Sequence, residues 1–181
     1  MQYPGNSLNK GTVNILTAFL IIVFVTNNAF SQSNAILELK KNAQDIKTNE
    51  IITKPSDPWT PDHLITTNEF AKVLSNPKVA KPIIYYVGFD FLFKEGHIPG
   101  SKYAGPASKQ YGVDTIKYQI KDLKHNQDIV IYCGCCPWRD CPNIRQEYKI
   151  FKEQGFTNVK VLYLPESFAK DWKGKGYAVV K

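Results

Sequence analysis

Three short runs rich in β-branched and aromatic residues, Pro82–Val87, Ile129–Tyr132 and Val159–Leu164, alternate with segments of helical periodicity, and that alternation restricts the fold most. Parallel strands cannot be joined by a tight hairpin. Each needs a crossover, so the pattern predicts an α/β domain with a central parallel sheet flanked by helices on both faces. Thr66-Thr67-Asn68-Glu69 carries a capping-box signature, and Phe70, Val73 and Leu74 follow at i, i+3, i+4, which predicts a helix ended by Asn76-Pro77. Further helices are predicted over Thr115–Leu123, from about Asn143 to Gln154 with Gly155 as its C-terminal cap, and over Phe168–Trp172. No internal repeat is visible.

The first 31 residues hold one charge, Lys10, then the largely apolar 11-residue run Ile15–Val25 and the small-residue pattern Ala29-Phe30-Ser31. This reads as a secretory signal peptide over residues 1–31; the run is well short of the roughly 20 residues that a spanning helix needs. No cysteine lies there to carry a lipid, so no stable membrane association is expected after cleavage. The expected location is a bacterial periplasm or extracellular space. Residues 32–58 read as a polar N-terminal arm or linker. Ile36, Leu39, Ala43 and Ile46 fall at helical spacing within it, and Lys54-Pro55-Ser56-Asp57-Pro58-Trp59-Thr60-Pro61 forms an extended lead-in because its prolines cannot continue a helix. The domain proper is placed at 59–181. Removing the leader from 181 residues leaves 150, one domain with its own core, and lowers the net charge from +7 to +6. The lysines are scattered among acidic residues, which argues against a nucleic-acid partner but leaves room for small anionic substrates.

All four cysteines fall within nine residues, Cys133-Gly134-Cys135-Cys136-Pro137-Trp138-Arg139-Asp140-Cys141, directly after Ile129–Tyr132. The thiols therefore sit on a loop between a buried strand and a helix N-terminus. Backbone N–H groups there, with Arg139 and Arg145 nearby, favour thiolate over thiol. Export to an oxidising compartment permits disulfides, but thiols so close in sequence cannot cross-link anything beyond their own loop.

Gly96-His97-Ile98-Pro99-Gly100-Ser101 resembles the GHIPGA/S segment of rhodanese-like domains. The strand ending in Tyr132-Cys133, the helix running into Gln154-Gly155-Phe156-Thr157-Asn158-Val159, and the ending Trp172 to Gly176-Tyr177-Ala178-Val179 are similar to the same family in order and spacing. The resemblance covers residues 59–181. It implies a sulfurtransferase in which the cysteine at the end of the central strand takes sulfur from a small anionic donor, carries it as a persulfide and passes it to a thiol or cyanide-like acceptor. By position that cysteine is Cys133. Cys133 lies 22 residues before Gly155, so the loop carries an insertion, and matching from the helix side would choose Cys136 instead. Tyr86-Val87-Gly88 stands where the family usually has Asp-Val-Arg. The extra thiols resemble a distinct exported subgroup, with Gly134, Cys135, Cys136, Trp138, Arg139 and Cys141 as substrate-binding or resolving residues. No cofactor is expected, and the protein is expected to be a monomer.

Two other chemistries fit the loop. Cys133-Gly134-Cys135-Cys136 contains C-x-x-C, a spacing suited to dithiol exchange. Four thiolates also suit Cu(I) or Zn(II), but C-x-C-C-x4-C is not the paired spacing of structural zinc sites, so metal binding ranks last and no metal ligand is assigned. Arg139 is the candidate for an anionic donor, against an ion pair with Asp140 or a contact with solvent. Trp138 either walls the pocket or shields the loop. His97 is read as structural, His63 and His125 as surface residues. Tyr103, Gly105, Pro106 and Ser108 follow the GHIPGS segment closely enough to reach the same pocket.

Overall fold

The computed structural model describes Lys54 and residues 56–181; the leader, the helix expected within 36–46 and most of the arm lie outside the described residues. Five strands, β1 (Leu64–Thr66), β2 (Ile83–Tyr86), β3 (Ser101–Tyr103), β4 (Ile129–Tyr132) and β5 (Val159–Tyr163), form one sheet in the order β1-β5-β4-β2-β3. Every pairing is parallel, with Ile83–Tyr86 opposite Ile129–Tyr132 and Ile129–Ile131 opposite Val159–Val161. The helices are α1 (Thr67–Ser75), α2 (Asp90–Glu95), α3 (Gln110–Ile120), α4 (Pro142–Glu153) and α5 (Phe168–Asp171).

Strand alternation divides the interior into two cores. Tyr85, Ile129, Ile131, Cys133 and Val161 point to the face covered by α3 and α4, where Ile116, Ile120, Ile144, Tyr148 and Phe151 meet them. Ile84, Tyr86, Val130, Tyr132 and Leu162 point the other way, against Phe70 of α1, Phe93 of α2 and Phe168 of α5. A parallel sheet buried on both faces is thus the architecture, as expected.

Local signals account for most boundaries. Thr66 and Glu69 close the capping box of α1, with the Glu69 N–H donating to Thr66 Oγ1 at 3.2 Å. At the end of α4, Gly155 at φ +83° lets its N–H reach Lys152 O and lets the Phe156 N–H reach Phe151 O, both at 3.0 Å, a Schellman arrangement.

Three expectations change. The sheet has five strands rather than three, because the short edge strands β1 and β3 lack a buried run; the burial pattern of β3 is mixed. Helix α3 begins at Gln110 rather than Thr115, since Gly112 belongs to its first turn, where a Cβ would meet Pro106 O at 2.2 Å. The lead-in is not extended at its start: Asp57 N donates to Lys54 O and Lys54 N to Asp57 Oδ2, closing a turn.

Candidate active site

From β2 the chain moves outward to edge strand β3; from β4 it moves the opposite way to β5. The direction of winding reverses between β2 and β4, and open α/β sheets leave a crevice at the carboxyl ends of the strands at such a point. Val87 leaves β2 there, its N–H bound to Tyr132 O at 2.9 Å, and beside it β4 runs into Cys133.

The backbone at Gly134 has φ +148°, and a Cβ there would lie 2.5 Å from Phe168 Cβ, so only glycine lets the chain turn this tightly against α5. Pro137 caps a single 3₁₀ turn over Trp138–Asp140, and Cys141 caps α4 with Pro142 in the first helical position, where its missing N–H costs nothing. Arg145, one turn into α4, ties the loop down. Its Nη1 donates to Trp138 O at 2.9 Å and Cys141 O at 3.0 Å, while Nε and Nη2 hold the fully buried Asp57 carboxylate at 2.9 and 2.7 Å. The guanidinium carbon lies 5.4 Å from the Trp59 ring and 5.5 Å from the Trp138 ring, and the two tryptophans pack at 5.5 Å. The turn at Lys54–Asp57 is therefore fastened to the cysteine loop, and Lys54 adds a contact to Asp140 at 3.0 Å.

Within this frame the thiols converge. Cys133 Sγ lies 3.1 Å from Cys135 Sγ, Cys135 Sγ lies 3.5 Å from Cys136 Sγ, and the sulfurs of Cys133, Cys135 and Cys141 all fall within 4.8 Å of one another. Cys133 and Cys141 are buried, Cys135 and Cys136 partly exposed. Asn143 is buried between them: its Nδ2 is 3.9 Å from both Cys133 Sγ and Cys135 Sγ, and its Oδ1 accepts the Ser108 N–H at 3.0 Å, which fixes the amide with its donors toward sulfur. A cavity of about 10 Å³ remains beside the cluster, lined by Cys133, Cys136, Trp138 and Cys141 and by Ile144 and Leu164. That is no larger than one water.

Proximity sets the protonation. Cys135 is held far below the ordinary thiol range because Cys133 and Cys141 donate S–H groups to it, with Cys136 and Asn143 adding to the effect. Cys133 is pushed up for the reciprocal reason, as donor to Cys135, with burial adding. Burial raises Cys136 first, and Cys141 is raised by giving its proton to Cys133 and Cys135. The shifts thus favour charge on Cys135 and protons on its sulfur neighbours. Of the groups expected to favour a thiolate, Arg139 is exposed and Arg145 is engaged with Asp57 and the carbonyls of Trp138 and Cys141, so the neighbouring sulfurs are the main influence.

Trp138 both lines the cavity and shields the loop, packing on Tyr163 at 5.0 Å as well as on Trp59. Arg139 is exposed, and Asp140 pairs with Lys54 rather than forming the expected alternative contact. His97 is structural: its Nδ1 lies 3.0 Å from Phe93 O, its ring stacks on Phe93 at 3.8 Å, and its backbone bridges to Val180. Of the residues after GHIPGS, Ser108 reaches the site through Asn143. Sequence reasoning missed Asn143, Asp57 and Glu147. The first and last were detectable in principle, since Asn143, Glu147 and Ile150 repeat at helical spacing along the buried face of α4.

Glu147 is fully buried, both carboxylate oxygens lack a hydrogen-bond partner, and burial pushes its carboxyl well above the usual range. It raises the neighbouring Tyr85 phenol, whose own burial contributes more, to about 12.

The chain is similar to several solved structures. A protein of Bacillus halodurans is 19% identical over 65% of this chain and 75% of its own, with a TM-score of 0.50. The rhodanese-like domain of an Anabaena sp. protein is 17% identical over 65% of this chain and 77% of its own, with a TM-score of 0.49. A rhodanese-like domain protein of Staphylococcus aureus is 19% identical over 65% and 97%, with a TM-score of 0.44. No curated protein matches the chain. The family profile of the rhodanese-like domain matches residues 66–170, more than half of the chain, and with the parallel sheet and its cysteine-bearing strand end this makes the protein a member of the rhodanese-like domain family.

Proposed function

We propose that the protein is an exported sulfurtransferase, its leader at 1–31 and arm at 32–58 preceding a catalytic domain at 59–181, and that Cys133 carries the transferred sulfur as a persulfide. The observation behind this reading is the thiol cluster at the carboxyl end of β4, at the reversal point of the sheet. The Cys133 proton passes to Cys135 across 3.1 Å during the attack itself, an uphill step because the resting charge favours Cys135. Cys133 Sγ attacks the sulfane sulfur of a thiosulfate-like donor; the donor S–S bond breaks and sulfite leaves with the electron pair. An acceptor thiolate or cyanide then attacks the outer sulfur and returns Cys133 as thiolate. Asn143 and the amides at the start of α4 favour the anionic intermediates.

With Cys133 5% exposed, the donor enters only when the Gly134–Pro137 stretch lifts. The weakest tie there is Phe168 N–H to Gly134 O, at 3.5 Å. Cys136, Cys141, Trp138 and Arg139 form the inner and outer walls of that entrance. The reaction needs neither nucleic acid nor membrane, and one monomer holds all its groups.

The 3.1 Å approach of Cys133 and Cys135 favours one second reading. Attack of the Cys135 thiolate on Cys133 Sγ would expel hydrosulfide from the persulfide and leave a Cys133–Cys135 disulfide, which an external dithiol must reduce. Sulfite release from thiosulfate, with cyanide or a thiol as acceptor, separates the readings across Cys→Ser variants at Cys133, Cys135 and Cys136. Transfer is lost in Cys133→Ser, slowed in Cys135→Ser and kept in Cys136→Ser. Equal loss in Cys133→Ser and Cys135→Ser, with sulfide released, would favour the disulfide cycle.

A further inference from the structure

The chain spacing of the cysteines does not suggest a metal site, but their placement in space does. Three sulfurs, from Cys133, Cys135 and Cys141, lie within 4.8 Å of one another, and two of the three residues are buried. A metal–sulfur distance of about 2.3 Å places the sulfurs of a trigonal site roughly 4 Å apart. Closing the site therefore needs only sub-ångström movements of side chains that share one loop. The fourth thiol stands outside: Cys136 Sγ lies 3.5 Å from Cys135 Sγ and also interacts with Cys141, but it does not join the mutual set. Among the described residues no imidazole or carboxylate joins the group, so the protein supplies three mutual sulfur ligands and no fourth of another kind.

We propose that Cys133, Cys135 and Cys141 form a three-coordinate site for a soft monovalent ion, Cu(I). Thiolate softness selects it, and a closed-shell monovalent ion accepts trigonal geometry where zinc prefers four ligands. The surroundings are built for anionic sulfur. Asn143 points its amide at Cys133 and Cys135 from a position fixed by Ser108, and Arg145 pins the carbonyls of Trp138 and Cys141 that frame the third ligand. Thiolate ligation releases thiol protons, so affinity rises with pH. An ion held this way occupies the sulfur-carrying thiol, which makes metal binding and sulfur uptake alternative states of one cluster. The site itself does not depend on the sulfurtransferase reading.

The test is competition for Cu(I) between the reduced full chain and bicinchoninate, under anaerobic conditions with a non-thiol reductant. One Cu(I) per chain should leave the chelator. Cys133→Ser, Cys135→Ser and Cys141→Ser should each weaken binding about tenfold or more, and Cys136→Ser should retain it. X-ray absorption of the copper-loaded wild type guards against variants that fail to fold, and should show three sulfur neighbours at about 2.3 Å. No transfer from the chelator, a two- or four-sulfur shell, or loss of binding in Cys136→Ser with retention in Cys141→Ser would overturn the proposal. Sulfite release by the metal-free protein is read separately, so failure of one idea leaves the other standing.

Discussion

On the face covered by α1, α2 and α5, buried polar groups find partners. Tyr132 Oη accepts the Ile98 N–H at 3.0 Å and meets Ser101 Oγ at 3.1 Å, Trp172 Nε1 donates to Ala178 O at 2.9 Å, and Asp171 accepts two amide N–H groups at 2.7 and 2.8 Å. On the face covered by α3 and α4, Tyr85 Oη, the ring nitrogens of Trp59 and Trp138 and both carboxylate oxygens of Glu147 have none. Both faces are buried and carry aromatic side chains, so the difference lies in satisfaction rather than burial. The satisfied face carries the GHIPGS segment and serves as scaffold; the unsatisfied one carries the cysteines and α4. Unmet polar groups collect where function demands side chains that packing alone would reject.

The largest effect should come from breaking the scaffold. Trp172, almost fully buried against Phe70, Phe168 and Tyr177, should cost about 3–5 kcal/mol as Trp172→Ala in denaturant unfolding. A loss under about 1 kcal/mol would mean that this face is not the stabilising one. Next comes the fastening of the loop: Asp57→Ala strands the Arg145 guanidinium and should cost about 3 kcal/mol, with faster alkylation of Cys133 as the readout specific to the loop.

Glu147→Leu should act in the opposite direction, stabilising by about 1–3 kcal/mol at pH 7. A carboxyl whose folded pKa is raised costs nothing below its unfolded value near 4.5 and penalises the native state as pH rises above it, at up to about 1.4 kcal/mol per pH unit, until the folded pKa is reached. Wild-type stability should therefore fall between pH 4.5 and neutrality relative to the variant; parallel curves would show that Glu147 is paired or solvated. The smallest effect, and the cleanest comparison of the faces, is a pair of hydroxyl deletions. Tyr132→Phe strands the Ile98 amide and should cost about 1–3 kcal/mol, whereas Tyr85→Phe removes an unpartnered hydroxyl and should be neutral or stabilising. Equal costs would erase the distinction.

The same contrast explains what could be read from the sequence. Strands β2 and β4 announce themselves because a parallel strand buried on both sides must be a continuous apolar run, as Ile129–Tyr132 is, and β5 shows through its β-branched and aromatic residues although Lys160 interrupts it. Edge strands β1 and β3 are three residues long and half covered, so no pattern accumulates. The thiol cluster was legible as a position, since four cysteines follow one strand, but not as an arrangement. Which sulfur holds the charge depends on separations of a few tenths of an ångström, and linear order carries none. Asp57 and Arg145 lie 88 residues apart, and a contact made by folding leaves no local trace at either residue. Spacing places Asn143 and Glu147 on the buried face of α4, but what each does there shows only once its partner, or the lack of one, is seen.

Sulfur loading tests the central claim most directly. The reduced protein is incubated with thiosulfate between pH 5 and 8, and its intact mass is compared with those of Cys133→Ser and Cys135→Ser. The account predicts a gain of about 32 Da, one sulfur per chain, absent in Cys133→Ser at every pH. In the wild type the gain should persist to pH 5, because the thiolate on Cys135 lies far below the ordinary thiol range, while Cys135→Ser should load only toward pH 8. An adduct that survives Cys133→Ser, or no adduct at any pH, would contradict it.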